Sequence, residues 1–310
     1  MSRGESDLEM ILITEDDRKQ YDAFVGEQLR DLGCYRYDPD STIWHYTKGP
    51  GLIGIIGSGL LRATDVSCLN DSTEVQYGQY LYREALASLR ERHKDDASVR
   101  NMLNLYLGPA SYLVSPPSPF FICCFSQRKD DLSQWRAYGG DGGENGYAIG
   151  FSPRGLVSPF GELLGVNYDA AKHREAAMRV AVATVDAFRK GLDRTPRIEH
   201  WTTEFLLTWD ERIARLATVV KANCFGAEEE LRFVHTEQST DKIEFQQKTT
   251  LLSRHLSVSF SDLPRLPITE VLVGPGRQQA VTGMNVRRLL DQHGYPLVPV
   301  ELSRMPLQRP

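Results

Sequence analysis

A seven-residue run, Phe120-Phe121-Ile122-Cys123-Cys124-Phe125-Ser126, is apolar on both of the faces a strand presents. It reads as a buried strand that needs cover on each side. Residues 42–47, Thr-Ile-Trp-His-Tyr-Thr, form a second strand of high β propensity after a Pro39-Asp40-Ser41 turn. Strands are also predicted over 147–151, 268–273 and 297–302, with shorter ones at 243–246 and 256–260. Between them lie helices over 16–32, 52–56, about 74–94, 97–107, 130–138, 170–190, 203–220 and 278–293. The helix at 203–220 is the clearest, since Phe205, Trp209, Ile213, Leu216 and Val220 step by 4, 4, 3 and 4 along one face. Short strands interrupted by helices give an α+β class. Residues 1–40 read as an N-terminal helical extension, and 41–310 as a single α+β domain. No internal repeat and no long linker divides that domain.

The bulk numbers exclude several classes. The chain has 310 residues, 41% hydrophobic and 25% charged, an ordinary soluble balance. No apolar run approaches the roughly 20 residues needed to span a bilayer, so no membrane partner is expected. The N-terminus lacks the basic start and long apolar centre of a signal peptide, which places the protein in the cytoplasm. Cys34, Cys68, Cys123, Cys124 and Cys224 have neither zinc spacing nor a disulfide framework, so no metal is expected. A net charge of −5 does not suggest a broad phosphate-tracking surface.

One stretch has no evident reason for its composition. Cys224-Phe225-Gly226-Ala227-Glu228-Glu229-Glu230-Leu231-Arg232-Phe233-Val234 reads as a strand. Alternation then sets Glu228, Glu230 and Arg232 on one face, with Glu229, Leu231 and Phe233 on the other. A charged strand face is either open to water or the wall of a cleft. Familiar catalytic motifs are missing: there is no Gly-x-Gly-x-x-Gly between strand and helix, no Walker loop, no His-Glu-x-x-His and no Gly-x-Ser-x-Gly.

An ordered set of blocks carries a resemblance. These are His45-Tyr46-Thr47; Leu69-Asn70-Asp71 with Glu74; Cys124-Phe125-Ser126; Trp135 with Tyr138 and the strand at 146–151; Phe225 with Glu228, Glu230 and Arg232; residues 271–275; and Ser303. Over about residues 42–304 the chain resembles an uncharacterised bacterial domain-of-unknown-function family. Through His45, the middle aromatics and the late glutamates it also resembles the His-Tyr-Glu branch of the ADP-ribosyltransferase superfamily. That branch includes diphtheria-toxin-like enzymes and poly-ADP-ribose polymerases. The implied fold is a pair of split mixed sheets with inserted helices. The implied activity is cleavage of the nicotinamide–ribose bond of NAD, by ADP-ribosyl transfer or by hydrolysis, in a toxin or defence effector. NAD would be the substrate.

The chemistry explains why such residues are needed. Breaking that bond develops oxocarbenium-like positive charge on the ribose, and a facing carboxylate stabilises the transition state more than the ground state. The resemblance gives this role to Glu230. It gives substrate positioning to Glu228 and Asn70, and a ribose hydroxyl contact to His45. Tyr46 and Thr47 would line the NAD site beside His45. Tyr138 and Trp135 would be the aromatic wall for nicotinamide, and Ser126 would organise the site. Arg232 would neutralise the carboxylates or meet the diphosphate. Tyr46 is a departure, since toxin-like members carry glycine after the histidine. The catalytic assignment requires His45 and Glu230 to face one cleft. Asn70, Asp71 and Glu74 are equally a helix capping box, and Trp135 and Tyr138 equally a packed helix face. The alternative function is a non-catalytic nucleotide or nucleic-acid-binding module with a degenerate site, and a third is an interaction protein whose residues 1–40 dock a partner. The acceptor of ADP-ribose is open: protein, nucleic acid, small molecule or water.

Overall fold

The computed structural model describes residues 13–69, 73–108, 120–138, 145–194, 198–237, 239–247, 251–260 and 265–306, without the side chains of 73–75. Asn70 and the capping side chains expected at Asp71 and Glu74 lie outside this set. The chain divides into two compact units, one helical and one built on a sheet.

The helical unit takes α1 (Glu15–Asp31), α3 (Thr73–Leu89), α4 (Ala97–Leu107), α6 (Ala170–Leu192) and α7 (Ile198–Ala217) from three separate stretches of chain. A capping box starts α1: Thr14 Oγ1 accepts from the Asp17 amide at 3.1 Å, and the Asp17 carboxylate accepts from the Thr14 amide at 3.0 Å. Its buried stripe, Tyr21, Val25 and Leu29, follows helical spacing. Tyr21 meets Trp209 of α7 edge-on, with ring centroids 4.7 Å apart. Phe205 stacks on Trp209 and meets Phe188 of α6. Burying each such ring contributes about 1.5–3 kcal/mol. Polar atoms within this core are answered in a chain. Trp209 Nε1 donates to Thr184 Oγ1 at 2.6 Å, Thr184 donates to the Val180 carbonyl at 2.7 Å, and the Tyr82 hydroxyl lies 2.8 Å from Thr184 Oγ1. Gly191 lets Trp201 close against α6, since a Cβ there would stand 1.8 Å from the indole.

The boundary expected at residue 40 is therefore corrected. Helix α1 is not an extension, because its apolar stripe finds its aromatic cover on α7 late in the chain. The helix predicted over about 74–94 ends at Leu89 and is followed by a short 3-10 turn, Glu91–His93.

The second unit holds ten strands among the described residues: β1 (Ile43–Thr47), β2 (Leu61–Asp65), β3 (Phe120–Ser126), β4 (Tyr147–Phe151), β5 (Gly161–Gly165), β6 (Glu230–Thr236), β7 (Glu244–Gln247), β8 (Leu252–Val258), β9 (Ile268–Val273) and β10 (Val300–Leu302). The helices α2 (Gly49–Ser58), α5 (Leu132–Tyr138) and α8 (Gln279–Gln292) are inserted among them. Strand β5 was not anticipated from the sequence.

The apolar strand β3 is the hub. Strand β6 pairs antiparallel along all of it, from Phe120↔Thr236 to Ser126↔Glu230. Its other edge is shared: β1 holds only Ser126, through Trp44, while β2 holds Ile122 and Phe121. The layer consequently forks beside β3. One arm runs β1-β4-β9-β10 and the other β2-β8-β7, with β5 outside β6. The β9–β10 pair is parallel and the others antiparallel, so the sheet is mixed, and the class is α+β.

The pleat sorts side chains between two cores. Ile43, Phe125, Ile149, Leu231, Phe233, Val271 and Val273 belong to the larger cluster. Trp44, Tyr46, Ala148 and Leu272 face the other way and form a smaller cluster with Trp135 of α5. Cross-strand partners share a face, so Trp44, Ser126 and Glu230 lie on the side of the smaller cluster.

Asp210 of α7 accepts a hydrogen bond from the Tyr106 hydroxyl. Burial lifts its carboxyl from the ordinary 3.8 to about 7. A carboxyl raised on folding favours the protonated native state, so its stabilising contribution is present below 3.8 and is lost as pH rises to about 7. The thermal midpoint is expected to fall across that window, and Asp210→Asn to flatten the fall in melts recorded at a series of pH values.

Candidate active site

The acidic stretch does not form the continuous strand that the sequence suggests. Asn223–Glu228 is a 3-10 turn, and β6 begins only at Glu230. Between them Glu229 adopts a left-handed backbone, φ 44° and ψ 52°. Pleat alternation therefore cannot explain how Glu228 and Glu230 meet. A lysine unites them instead. Lys221 Nζ lies 2.6 Å from Glu228 Oε2 and 3.2 Å from Glu230 Oε2.

Glu230 is also bound from its own strand. Arg232 Nε reaches its Oε1 at 2.8 Å and Arg232 Nη2 its Oε2 at 2.9 Å, a two-pronged pair. Arg232 is 1% exposed, Lys221 4% and Glu230 7%, whereas the Glu228 side chain keeps 25%. Burial alone would push the Glu230 carboxyl up, but the Arg232 and Lys221 charges outweigh it and hold it down at about 2. The charged face is thus neither a solvated edge nor an open wall. It is a buried ion network with one carboxylate, Glu228, at its rim.

Other groups surround the network. Tyr138, the last residue of α5, is 36% exposed, and its phenol is pushed up by burial and then by Cys124, Glu228 and Glu230. Tyr168 accepts the Glu230 amide at 3.1 Å, and its phenol is raised chiefly by burial. The Phe225 ring lies under Lys221, 4.8 Å from Nζ. Cys124 is beside Glu230, and its thiol is pushed up by burial and by that charge. Ser126 Oγ donates to the Glu228 carbonyl at 2.7 Å and accepts from the Arg128 amide at 3.1 Å. Ser126 therefore fastens the end of β3 to the acidic turn.

His45 is one residue beyond the last β1–β3 pair, beside the fork. Its Nδ1 lies 2.9 Å from the Cys124 carbonyl. A carbonyl only accepts, so Nδ1 carries the proton and Nε2 is left with a lone pair. Burial lowers the imidazole pKa, against the opposing Cys124 bond, so the ring is neutral. The pleat sets His45 with Ile149, and its ring lies 5.9 Å from Phe125. Glu230 is on the opposite face. The two side chains lie on opposite faces of the sheet, whereas the catalytic assignment requires them to face one cleft.

Several of the residues expected to line the NAD site have protein partners of their own. Tyr46 is buried. Its hydroxyl donates to the Arg128 carbonyl at 2.8 Å and accepts from the Asp131 amide at 3.1 Å, pinning that loop. Trp135 is 2% exposed and donates Nε1 to Asp130 Oδ1 at 2.8 Å, so it packs the smaller core and offers no wall. Thr47 presses on the start of α2, where a Cβ on Gly51 would stand 2.0 Å from its Oγ1. Arg232 turns its guanidinium onto Glu230, the first of the two roles expected of it. Asn70 lies outside the described residues.

Sequence reasoning missed Lys221 and Tyr168. A signal for Lys221 existed: three successive glutamates need a cation, and this lysine directly follows the amphipathic run that ends at Val220. Among the described residues no helix is long and apolar enough to cross a membrane. No protein family, curated protein or solved structure matches the chain.

Glu230→Gln would leave buried Arg232 and Lys221 short of a counter-charge, at a cost of about 3–5 kcal/mol, read as a lower urea midpoint. A carboxyl depressed on folding stabilises above its ordinary 4.5 and loses that contribution as pH falls toward about 2. Acid titration of wild type is expected to show this loss, and the glutamine variant to lack it.

Proposed function

We propose that this chain cleaves the nicotinamide–ribose bond of NAD, as an ADP-ribosyltransferase or NAD glycohydrolase, at the carboxylates beside the fork in the sheet. The observation that carries the proposal is the convergence of Glu228 and Glu230 on one ammonium, with Glu228 at the rim near Tyr138. The forked mixed sheet supports an ADP-ribosyltransferase-like architecture.

The roles differ from those the sequence suggested. Glu230, neutralised by Arg232, exerts a weakened field on a developing cation and acts as the anchor of the network. Glu228 is the carboxylate that faces substrate and stabilises the oxocarbenium-like charge. Tyr138 supplies a partly exposed aromatic face for nicotinamide. His45, on the other face of the sheet, has no contact with the ribose in this reading and serves to tie β1 to the Cys124 carbonyl of β3.

A specific observation also favours a second reading, a nucleotide-binding module without turnover. Glu230 is already paired on both oxygens, and His45 is on the other face of the sheet. The two readings separate in one experiment. Purified protein incubated with NAD is expected to release nicotinamide, and Glu228→Gln to cut the rate of the folded protein about 10²-fold, at a lower unfolding midpoint because buried Lys221 loses one of its two carboxylates. NAD binding without release would select the second reading, and equal rates for variant and wild type would remove Glu228 from the chemistry.

A further inference from the structure

Glu229 is the one glutamate of the three that alternation excluded from the site, yet it is the one with a left-handed backbone. Among the described residues only Asp130 and Glu229 combine a side chain with positive φ, at 56° and 44°. Both lie in loops that face each other beside the fork. The end of β3 and loop 127–131 together touch the acidic turn at three points. The Gln127 amide donates to the Glu229 carbonyl at 3.0 Å, Ser126 Oγ donates to the Glu228 carbonyl, and Arg128 grips the Glu229 carboxylate. In that grip Nε and Nη2 both reach Oε1, at 2.9 and 2.7 Å.

The Arg128–Glu229 pair is almost half exposed on both sides, 44% and 45%. Exposed pairs contribute little to stability, so stability does not account for a side chain held in a left-handed turn. Geometry does. Extended backbone through residue 229 would space the carboxylates along a strand, roughly 7 Å apart per two residues. The left-handed turn instead lets both come within 3.2 Å of one Lys221 Nζ.

We infer that Glu229 is a positioning residue: clamped by Arg128, it holds the left-handed turn that brings Glu228 and Glu230 onto Lys221. The kinetic side of this inference rests on the NAD-cleaving reading, whereas the geometric side does not. Glycine adopts positive φ without strain and β-branched residues resist it, so the dihedral and the clamp can be tested apart.

Glu229→Gly, Glu229→Val and Arg128→Ala are compared with wild type by two readouts. One is NAD turnover. The other is the Lys221 side-chain ammonium signal in 15N NMR, visible when two carboxylates slow its proton exchange. Glu229→Gly is expected to keep the signal and stay within about threefold of wild-type turnover. Glu229→Val and Arg128→Ala are expected to lose the signal and at least about tenfold in turnover. An unchanged unfolding midpoint is expected for Glu229→Gly and a lowered one for Arg128→Ala, because buried Lys221 is then parted from its carboxylates, and turnover is compared well below both midpoints. Wild-type behaviour of Glu229→Val and Arg128→Ala in both readouts would overturn the inference. Should Glu229→Val not fold, Arg128→Ala decides. Should wild type show no turnover, the NAD reading fails and the ammonium signal alone decides the positioning role.

Discussion

The buried pairing of Arg232 with Glu230 is the interaction on which the site depends. An arginine 1% exposed on a central strand would be prohibitive without a counter-charge, and Glu230 supplies one on both prongs of the guanidinium. Lys221 then joins Glu230 to Glu228, so two carboxylates and two cations form one network. Four formal charges that cancel in pairs can occupy low-dielectric surroundings where any one alone would not. The network also sets the limits on chemistry. A carboxylate locked into such a pair is held ionised but has its field largely met, and of the two carboxylates Glu228 keeps the greater exposure.

The fork in the sheet gives this network its place. Strand β3 carries β6 along one edge and divides the other between β1 and β2. Ser126, at the end of β3, is the partner of both Trp44 and Glu230 and also bonds the acidic turn. The residues that pack the smaller core hold the neighbouring loop as well. Tyr46 bonds the loop backbone, and Asp130 takes the Trp135 indole on the oxygen that also accepts from Ser303, while its other oxygen accepts from the Arg304 amide. Tyr46, Trp135 and Ser126 thus hold the loop and the acidic turn in place.

Much of this was legible in the sequence at the level of elements. Period-2 and period-3.6 patterns located β3, β1, β4, β9, α1, α6, α7 and α8 to within a few residues, because each buries a regular face. The acidic stretch reads as a strand because Glu228, Glu230 and Arg232 are spaced for one face and Leu231 and Phe233 for the other, whereas the backbone turns at Glu229. A left-handed residue that is not glycine or asparagine leaves no local mark. Strand β5 was invisible because Gly161-Glu162-Leu163-Leu164-Gly165 is short and lacks β-branched residues; pairing with β6 makes it a strand. The helical extension was misjudged for a related reason: the amphipathic stripe on α1 shows that it needs a partner, not which one.

Sequence alone determined the α+β class, a buried apolar strand at residues 120–126 and an acidic stretch at residues 228–230. Those follow from side-chain periodicity and from the cost of exposing apolar surface, which act locally along the chain. Tertiary structure decided which charges pair, that Glu230 is anchored while Glu228 faces outward, and that His45 and Glu230 take opposite faces of one layer. These depend on cross-strand register and on the fork beside β3. Register is a relation between distant segments, fixed only when their side chains pack, and no single stretch of sequence contains it.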